Sequence, residues 1–319
     1  MKYLNSNNLE ELGLNWEQLA DTIEDAVICF EEGQTVQPIK QYLRFKDITN
    51  RIISMPAYLG NGFDIAGIKW IASFPGNIEK GIPRANSVTI LNDASTGQPI
   101  CIINTSLVSV IRTVAVSRLV LKHYDAHKKL NEPKIGIIGF GPIGQYHLKM
   151  VKDFFKDRAT TISIYDLRPI DFTLLNDQPN VNVVSSWKEA YEDADVLITC
   201  TVSNDRYIDK KPKENSLHLN VSLRDYKPET IDYFKNGIIV DKWEEICREN
   251  TDIEQMHLKH GLTKKDTNSI GDLVKDGILE NKVNNGAIMF NPMGMSIFDI
   301  AVAKLLYEQA ANQEVGIDL

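Results

Sequence analysis

Apolar and polar positions alternate in three distinct rhythms along the chain. Residues 1–32 read as helical: NWEQLADTIEDAVICFEEG spaces its apolar residues at helical intervals and ends in Gly33. Residues 35–104 change to β-prone runs, NRIISMPAYLG, DIAGIKWIASFPG and NSVTILNDASTGQPICIIN, separated by Gly, Pro, Asn and Asp. The stretch Asn92 to Gly97 predicts a hairpin turn. TSLVSVIRTVAVSRLVLKHY then predicts a helix capped by Thr105 or Ser106. From Lys134 onward, short apolar strands alternate with helices: KIGIIGF, TISIYD, VNVVS, DVLITC, SLHLNV and GIIVD. That alternation predicts α/β architecture with a doubly wound parallel sheet, a Rossmann domain. NPMGMSIFDIAVAKLLYEQAANQ predicts a last helix that returns to the first domain. The expected organisation is a mixed α+β substrate-binding and dimerisation domain (1–115 and 293–319) and a dinucleotide-binding domain (116–292).

Composition narrows the classes. The 319 residues are 43% hydrophobic and 24% charged, ordinary for a globular protein. Net charge is 35 − 43 = −8, which argues against a nucleic-acid footprint but leaves room for a locally basic pocket. Neither a signal peptide nor a membrane span is legible, so the expected compartment is the cytoplasm. Cys29, Cys101, Cys200 and Cys247 are too scattered for a metal or disulfide pattern.

Gly139, Gly141 and Gly144 form G-x-G-x-x-G between the strand KIGII and the helix PIGQYHLKMVKDFF. The next strand ends in Asp166, 22 residues after Gly144, which completes the dinucleotide fingerprint. Gly139 serves the tight turn, Gly141 the approach of backbone to pyrophosphate, and Gly144 the close packing of helix on strand. Pro142 and Ile143 open the helix whose N-terminus faces the phosphates. Asp166 would accept the adenosine ribose hydroxyls and so favours NAD; Arg168, two residues on, keeps NADP open. The loop alone also reads as a glycine-rich turn, and Asp166 as a strand-end cap.

Basic residues in the first domain suggest the substrate. Lys69 stands among apolar neighbours in AGIKWIAS, Arg112 in SVIRTVAVS and Arg44 in KQYLRF. Singly, each reads as a surface or ion-paired residue. Together they suit a carboxylate, which guanidinium groups clamp bidentately. Asp225 follows the strand LHLNV, and carboxyl ends of such strands face a cofactor cleft. There it could move a proton at an amine nitrogen; position alone equally allows a turn or cap residue.

The stretches RIISMPAYLG, GIKWIAS, ILNDASTGQP, SLVSVIRTVAVS, the glycine loop, SLRD and NPMGMSIFDIA together resemble the ornithine cyclodeaminase/μ-crystallin family over nearly the whole chain. The resemblance implies a two-domain homodimer with strands of the first domains pairing across the interface. It implies that Lys69, Arg44 and Arg112 hold an amino acid's α-carboxylate and that Asp225, the acid/base, and Lys69 are the catalytic residues. It also puts Thr201 and Val202, in TCTV, among the cofactor-binding residues. Two departures narrow the branch. Ile53 and Ser54 stand where ornithine cyclodeaminases carry an acid before MP, and the loop is GFGPIG rather than G-x-G-x-Q. Both count against a diamine substrate.

YLR, RIISMP, GIKWI, RANSVTILND, RTVAVS, TCTV and NPMGM resemble a siderophore-biosynthesis branch of the family. That branch oxidises the secondary amine N-(2-amino-2-carboxyethyl)-L-glutamate with NAD and releases 2-oxoglutarate and L-2,3-diaminopropionate. Such a substrate carries several carboxylates, and Arg84, in GIPRANS, is an additional guanidinium for a second one; it also reads as a solvated loop residue. The competing readings are a cyclodeaminase-like enzyme, a ketimine reductase, an amino-acid dehydrogenase, and a cofactor-dependent binding or regulatory protein like μ-crystallin. Asp299, in the first turn of the last helix, is expected to stabilise the helix N-terminus, with a bond near Lys69 as the alternative.

Overall fold

The computed structural model describes residues 1–175 and 180–319. The chain divides into two compact units, Met1–Ala115 with Gly294–Leu319, and Val116–Met293. Among the described residues each unit is built on one eight-stranded sheet.

The first unit contains β1 (Lys2–Leu4), β2 (Thr35–Val36), β3 (Gln41–Phe45), β4 (Asp47–Leu59), β5 (Ile65–Ser73), β6 (Ala85–Asp93) and β7 (Pro99–Ile103). A last strand, Ile317–Asp318, pairs with β1. The sheet order is last strand, β1, β7, β6, β5, β4, β2, with β3 folded back on β4 as a hairpin. β4 to β7 are antiparallel neighbours, and β1 joins β7 in parallel. Side chains alternate between faces along a strand. Met55, Ala57, Leu59, Ile65, Lys69, Thr89, Leu91, Cys101 and Ile103 are therefore buried on one face. The C-terminal helix Ser296–Asn312 packs on β4, β5 and β6, and α2 (Trp16–Glu31) packs beside it; α1 (Ser6–Leu12) precedes α2.

The opening residues depart from expectation. Lys2–Leu4 form a strand, not helix, because β7 and the last strand offer hydrogen-bonding edges remote in sequence. The predicted hairpin turn is present: Asp93 Oδ1 accepts the N–H groups of Ser95 and Thr96 (3.0 and 2.8 Å). α3 (Leu107–Lys128) starts where Thr105 Oγ1 accepts the Leu107 N–H at 3.1 Å, and the division between units falls within it.

The second unit holds β8 (Lys134–Ile138), β9 (Thr161–Tyr165), β10 (Val181–Val183), β11 (Val196–Thr199), β12 (Leu217–Asn220), β13 (Ile238–Val240), β14 (Asn268–Ser269) and β15 (Ile288–Asn291). Their order is β10, β9, β8, β11, β12, β15, β13, β14, and every pairing is parallel. This is the doubly wound sheet expected from the strand–helix rhythm. The order reverses between β8 and β11, the switch point at which such sheets bind ligands. β15 is not among the strands read from the strand–helix rhythm: IMFN is four buried residues, too short to show a period. Among the described residues no helix is long and apolar enough to cross a membrane.

Candidate active site

In the first unit the chemistry centres on Lys69. It lies on the buried face of β5, opposite Met55 and Thr89, and is 1% exposed. Its Nζ donates to Asp299 Oδ1 at 2.7 Å and to Ser109 Oγ at 3.3 Å. Arg112, on the second turn of α3, donates its Nε to the same Oδ1 at 3.0 Å. Burial pushes the Lys69 ammonium down to about 7; Asp299 opposes the fall and Arg112 adds to it. Two basic groups share one carboxylate oxygen, which leaves the cluster able to receive an anionic group.

Asp299 is thus placed differently from the favoured expectation of a helix-stabilising residue. Its carboxylate is fully buried and serves as the counter-ion of Lys69 and Arg112. A buried lysine requires such a partner, because an unpaired charge in an apolar interior is costly. The signal was available in the sequence as a second charged residue within an apolar run, SIFDIA.

The other two arginines have contacts of their own on this unit. Arg44, on β3, donates Nη1 to the Ile48 carbonyl (2.9 Å) and lies 5.4 Å from the Tyr42 ring centre. Both partners belong to the β3–β4 hairpin. Arg84 immediately precedes β6, is partly buried, and its carbonyl accepts the Phe74 N–H at 2.9 Å. Asp299, Arg112, Ser109 and Lys40 act on Lys69.

In the second unit the glycine loop follows β8. Gly139 has φ +92°, and a β-carbon there would lie 2.6 Å from the Cys200 carbonyl group, so the loop packs directly against the residues after β11. A β-carbon on Gly144 would lie 2.1 Å from the Gly139 carbonyl oxygen, which holds α4 (Pro142–Phe154) against the loop. Gly141 faces open space: a β-carbon there meets nothing within 4 Å. The loop therefore presents bare backbone at a helix N-terminus with Pro142 in its first turn, which fits a pyrophosphate. Ile143 supplies a carbonyl to His147 Nδ1 at 2.8 Å, while His147 Nε2 meets the Ser117 hydroxyl at 2.9 Å. Since a carbonyl only accepts, the proton sits on Nδ1. Burial pushes this imidazole down to about 4, so it is neutral.

Asp166, just past β9, accepts the Phe140 N–H with Oδ2 (2.7 Å) and the Arg168 N–H with Oδ1 (2.9 Å). It ties its own turn to the glycine loop, and each carboxylate oxygen keeps lone-pair capacity for ribose hydroxyls. Arg168 is 64% exposed, with Nε 3.5 Å from Asp166. These loops can hold a dinucleotide.

Asp225 lies in the turn after β12 and is fully buried. Thr201 donates its hydroxyl to one carboxylate oxygen and Ser222 to the other. Burial pushes the Asp225 carboxyl above the usual carboxylate range; the Ser222 and Thr201 hydroxyls pull the other way. Its backbone is held from both sides. The carbonyl accepts the N–H groups of Tyr207 and Ile208 (2.9 and 2.8 Å). The N–H groups of Asp225 and Tyr226 point at Asp252 Oδ2 (3.1 and 3.2 Å). Asp252 is itself paired with Arg206 Nε at 2.7 Å and accepts Asn220 Nδ2 at 3.0 Å. Burial pushes its carboxyl up to about 6, against the Asn220 hydrogen bond and the Arg206 charge. Val202, beside Thr201, is 60% exposed.

Ser222, Asp252, Arg206, Asn220 and Asn291 were not singled out from the sequence. The usable signal was an asparagine closing an apolar strand, in LHLN and again in IMFN. The two asparagines meet, Asn220 Nδ2 donating to Asn291 Oδ1 at 2.9 Å.

Comparison with known proteins adds context. The family described as ornithine cyclodeaminase/mu-crystallin matches residues 4–314. N-((2S)-2-amino-2-carboxyethyl)-L-glutamate dehydrogenase of Staphylococcus aureus is 34% identical over 336 aligned positions, which cover 100% of this chain and 98% of that protein. Among solved structures, Thermococcus litoralis Delta(1)-pyrroline-2-carboxylate reductase in complex with NADH and L-proline superposes with a TM-score of 0.88 at 24% identity, covering 100% of both chains. An archaeal alanine dehydrogenase dimer with bound NAD superposes with a TM-score of 0.83 at 24% identity, covering 100% of this chain and 98% of that one. The structural matches establish the fold.

Proposed function

The chain belongs to the ornithine cyclodeaminase/mu-crystallin family, and on that premise we propose that it oxidises the secondary amine N-(2-amino-2-carboxyethyl)-L-glutamate. It is an NAD(P)-dependent oxidoreductase of that family acting on a CH–NH bond of an amino-acid substrate. The observation that carries the reading is the buried Lys69–Asp299–Arg112 set, in which two basic side chains share one carboxylate oxygen, an arrangement suited to receiving a substrate carboxylate. The full-length similarity to the Staphylococcus aureus enzyme supports the particular amine.

Lys69 and Arg112 hold the α-carboxylate of the glutamate half and fix the direction of its Cα–H bond, an orientation effect. Arg44 assists them, and Arg84 takes a further carboxylate of the substrate. The dinucleotide, held by Gly139, Gly141, Pro142, Ile143, Gly144, Asp166, Thr201 and Val202, supplies the hydride acceptor. Asp166 selects NAD, whose ribose hydroxyls it can accept. Asp225 takes the nitrogen proton as the C=N bond forms. Water then adds across the C=N bond, and as the C–N bond breaks Asp225 returns its proton to nitrogen while the carbinolamine hydroxyl proton passes to solvent, giving 2-oxoglutarate and L-2,3-diaminopropionate. Burial raises the Asp225 carboxyl above the usual carboxylate range, which makes it a better proton acceptor than an ordinary carboxylate.

The active form in this reading is a homodimer. The second face of the first unit's sheet is apolar and half-exposed, with Ile68, Trp70, Val88, Ile90 and Ile102 along it. That composition suits an interface core.

An assay at the nicotinamide absorbance band tests the reading, with the tricarboxylate amine, ornithine, alanine and a cyclic imine each offered with NAD(H) and NADP(H). Turnover of the tricarboxylate with NAD is expected to exceed that of every other combination. Preferred turnover of alanine or the cyclic imine would replace it with an amino-acid dehydrogenase or ketimine reductase. Tight binding with no absorbance change would replace it with a binding protein.

A further inference from the structure

The segment NPMGM, Asn291 to Met295, joins β15 to the C-terminal helix, and its glycine has no role in the reaction as described. Its position explains it. Gly294 has φ +86°, and a β-carbon built on it would lie 2.3 Å from Arg112 Nη1, 2.7 Å from Nη2 and 2.8 Å from Cζ. All three nearest atoms belong to one guanidinium, whose Nη edge therefore sits close against the bare Gly294 backbone.

Arg112 is thus confined on two sides. Its Nε is tied to Asp299 Oδ1, the oxygen that also accepts Lys69 Nζ. Its Nη edge is seated on Gly294. We infer that Gly294 is a positioning residue for substrate recognition: by lacking a side chain it leaves the space in which the Arg112 guanidinium bonds Asp299 with its Nη edge beside residue 294, the position from which it meets the substrate carboxylate. The inference rests on the reading that Arg112 holds that carboxylate.

The expected size of the effect follows from the distances. Non-bonded heavy atoms rest at ~3.5–4.0 Å, so a β-carbon at 294 would displace the guanidinium by roughly 1 Å. The guanidinium is the far end of a flexible side chain and can yield, so the clash is relieved by moving Arg112 rather than by unfolding. Misplacement of a positioning group by about 1 Å can cost up to ~100-fold. The loss should appear in substrate binding and leave the dinucleotide untouched.

The experiment is a double-mutant cycle on the full-length enzyme with Gly294→Ala, Arg112→Lys and both together, reading KM and kcat for the tricarboxylate amine, Kd for NADH, and Tm. Gly294→Ala is expected to raise KM about 10- to 100-fold with the Kd for NADH unchanged. Arg112→Lys removes the planar fork and is expected to raise KM by itself. In that background Gly294→Ala should add little, because no guanidinium remains to be displaced. Gly294→Asn carries the same β-carbon on a residue type that tolerates positive φ, and it should reproduce the KM rise should Gly294→Ala fold poorly. An unchanged KM in the soluble glycine variants overturns the inference, as does a KM penalty that multiplies fully in the double variant, the mark of backbone strain alone. If Arg112→Lys leaves KM at the wild-type value, the carboxylate reading itself falls and the inference with it.

Discussion

Lys69 shows how one residue can carry both a structural and a chemical demand. A lysine on the buried face of a strand must find a carboxylate, and Asp299 meets that demand from 230 positions away. Burial nevertheless outweighs the partner and brings the ammonium down to about 7. The charged form is the one that attracts a carboxylate, and it is lost as pH rises through that value. KM for the acidic substrate should therefore climb with pH above about 7. In Lys69→Arg the guanidinium stays charged, and the climb should disappear or move beyond pH ~10. Initial-rate measurements from pH 6 to 10 on both proteins decide the matter: identical pH profiles would remove Lys69 from carboxylate recognition. A lysine among apolar neighbours was visible in AGIKWIAS. That it shares an oxygen with Arg112 was not, because the shared oxygen belongs to a residue remote in the chain.

At the scale of elements, the glycine loop separates two physical roles that one motif conflates. Gly144 is needed by the fold, since a β-carbon there would meet the Gly139 carbonyl at 2.1 Å and backbone cannot yield cheaply. Gly141 is not needed by the fold, since its β-carbon position is open. Gly144→Ala should cost about 1–3 kcal/mol of stability, as overpacking does. Gly141→Ala should melt within about 1 °C of the wild type yet bind NADH about tenfold more weakly, because the added methyl occupies the phosphate's approach. Thermal melts and fluorescence titration with NADH measure both; unchanged NADH affinity in Gly141→Ala would argue against the loop as the pyrophosphate site. The loop, its flanking strand and helix, and Asp166 were legible because they are local: each lies within one strand–turn–helix–strand unit. β1 and β15 were not. Each is three or four residues long and exists because a neighbouring strand offers it an edge.

At the scale of the whole molecule, the proposed homodimer places an expectation on the half-exposed face of the first unit's sheet. Trp70 points away from the buried side, pairs across to Ser54 and Val88, and is 38% exposed. Trp70→Asp should leave the fold of the protomer intact while shifting sedimentation toward the monomer. A wild-type protein that sediments as a monomer would dispose of the dimer. The division of the chain into two units, one interrupted by the other, reflects two separate hydrophobic patterns: alternating strands before α3 and uniformly apolar strands after Lys134. Those patterns repeat every two to four residues, so the doubly wound class and the dinucleotide loop could be read from the linear order of residues. Folding alone decided which charges meet. It put Asp299 between Lys69 and Arg112, seated a guanidinium on Gly294, and enclosed Asp225 with Thr201 and Ser222 above Asp252. Burial and hydrogen bonding between residues far apart in sequence set the charge state and aim of these groups, and no short window of sequence contains either.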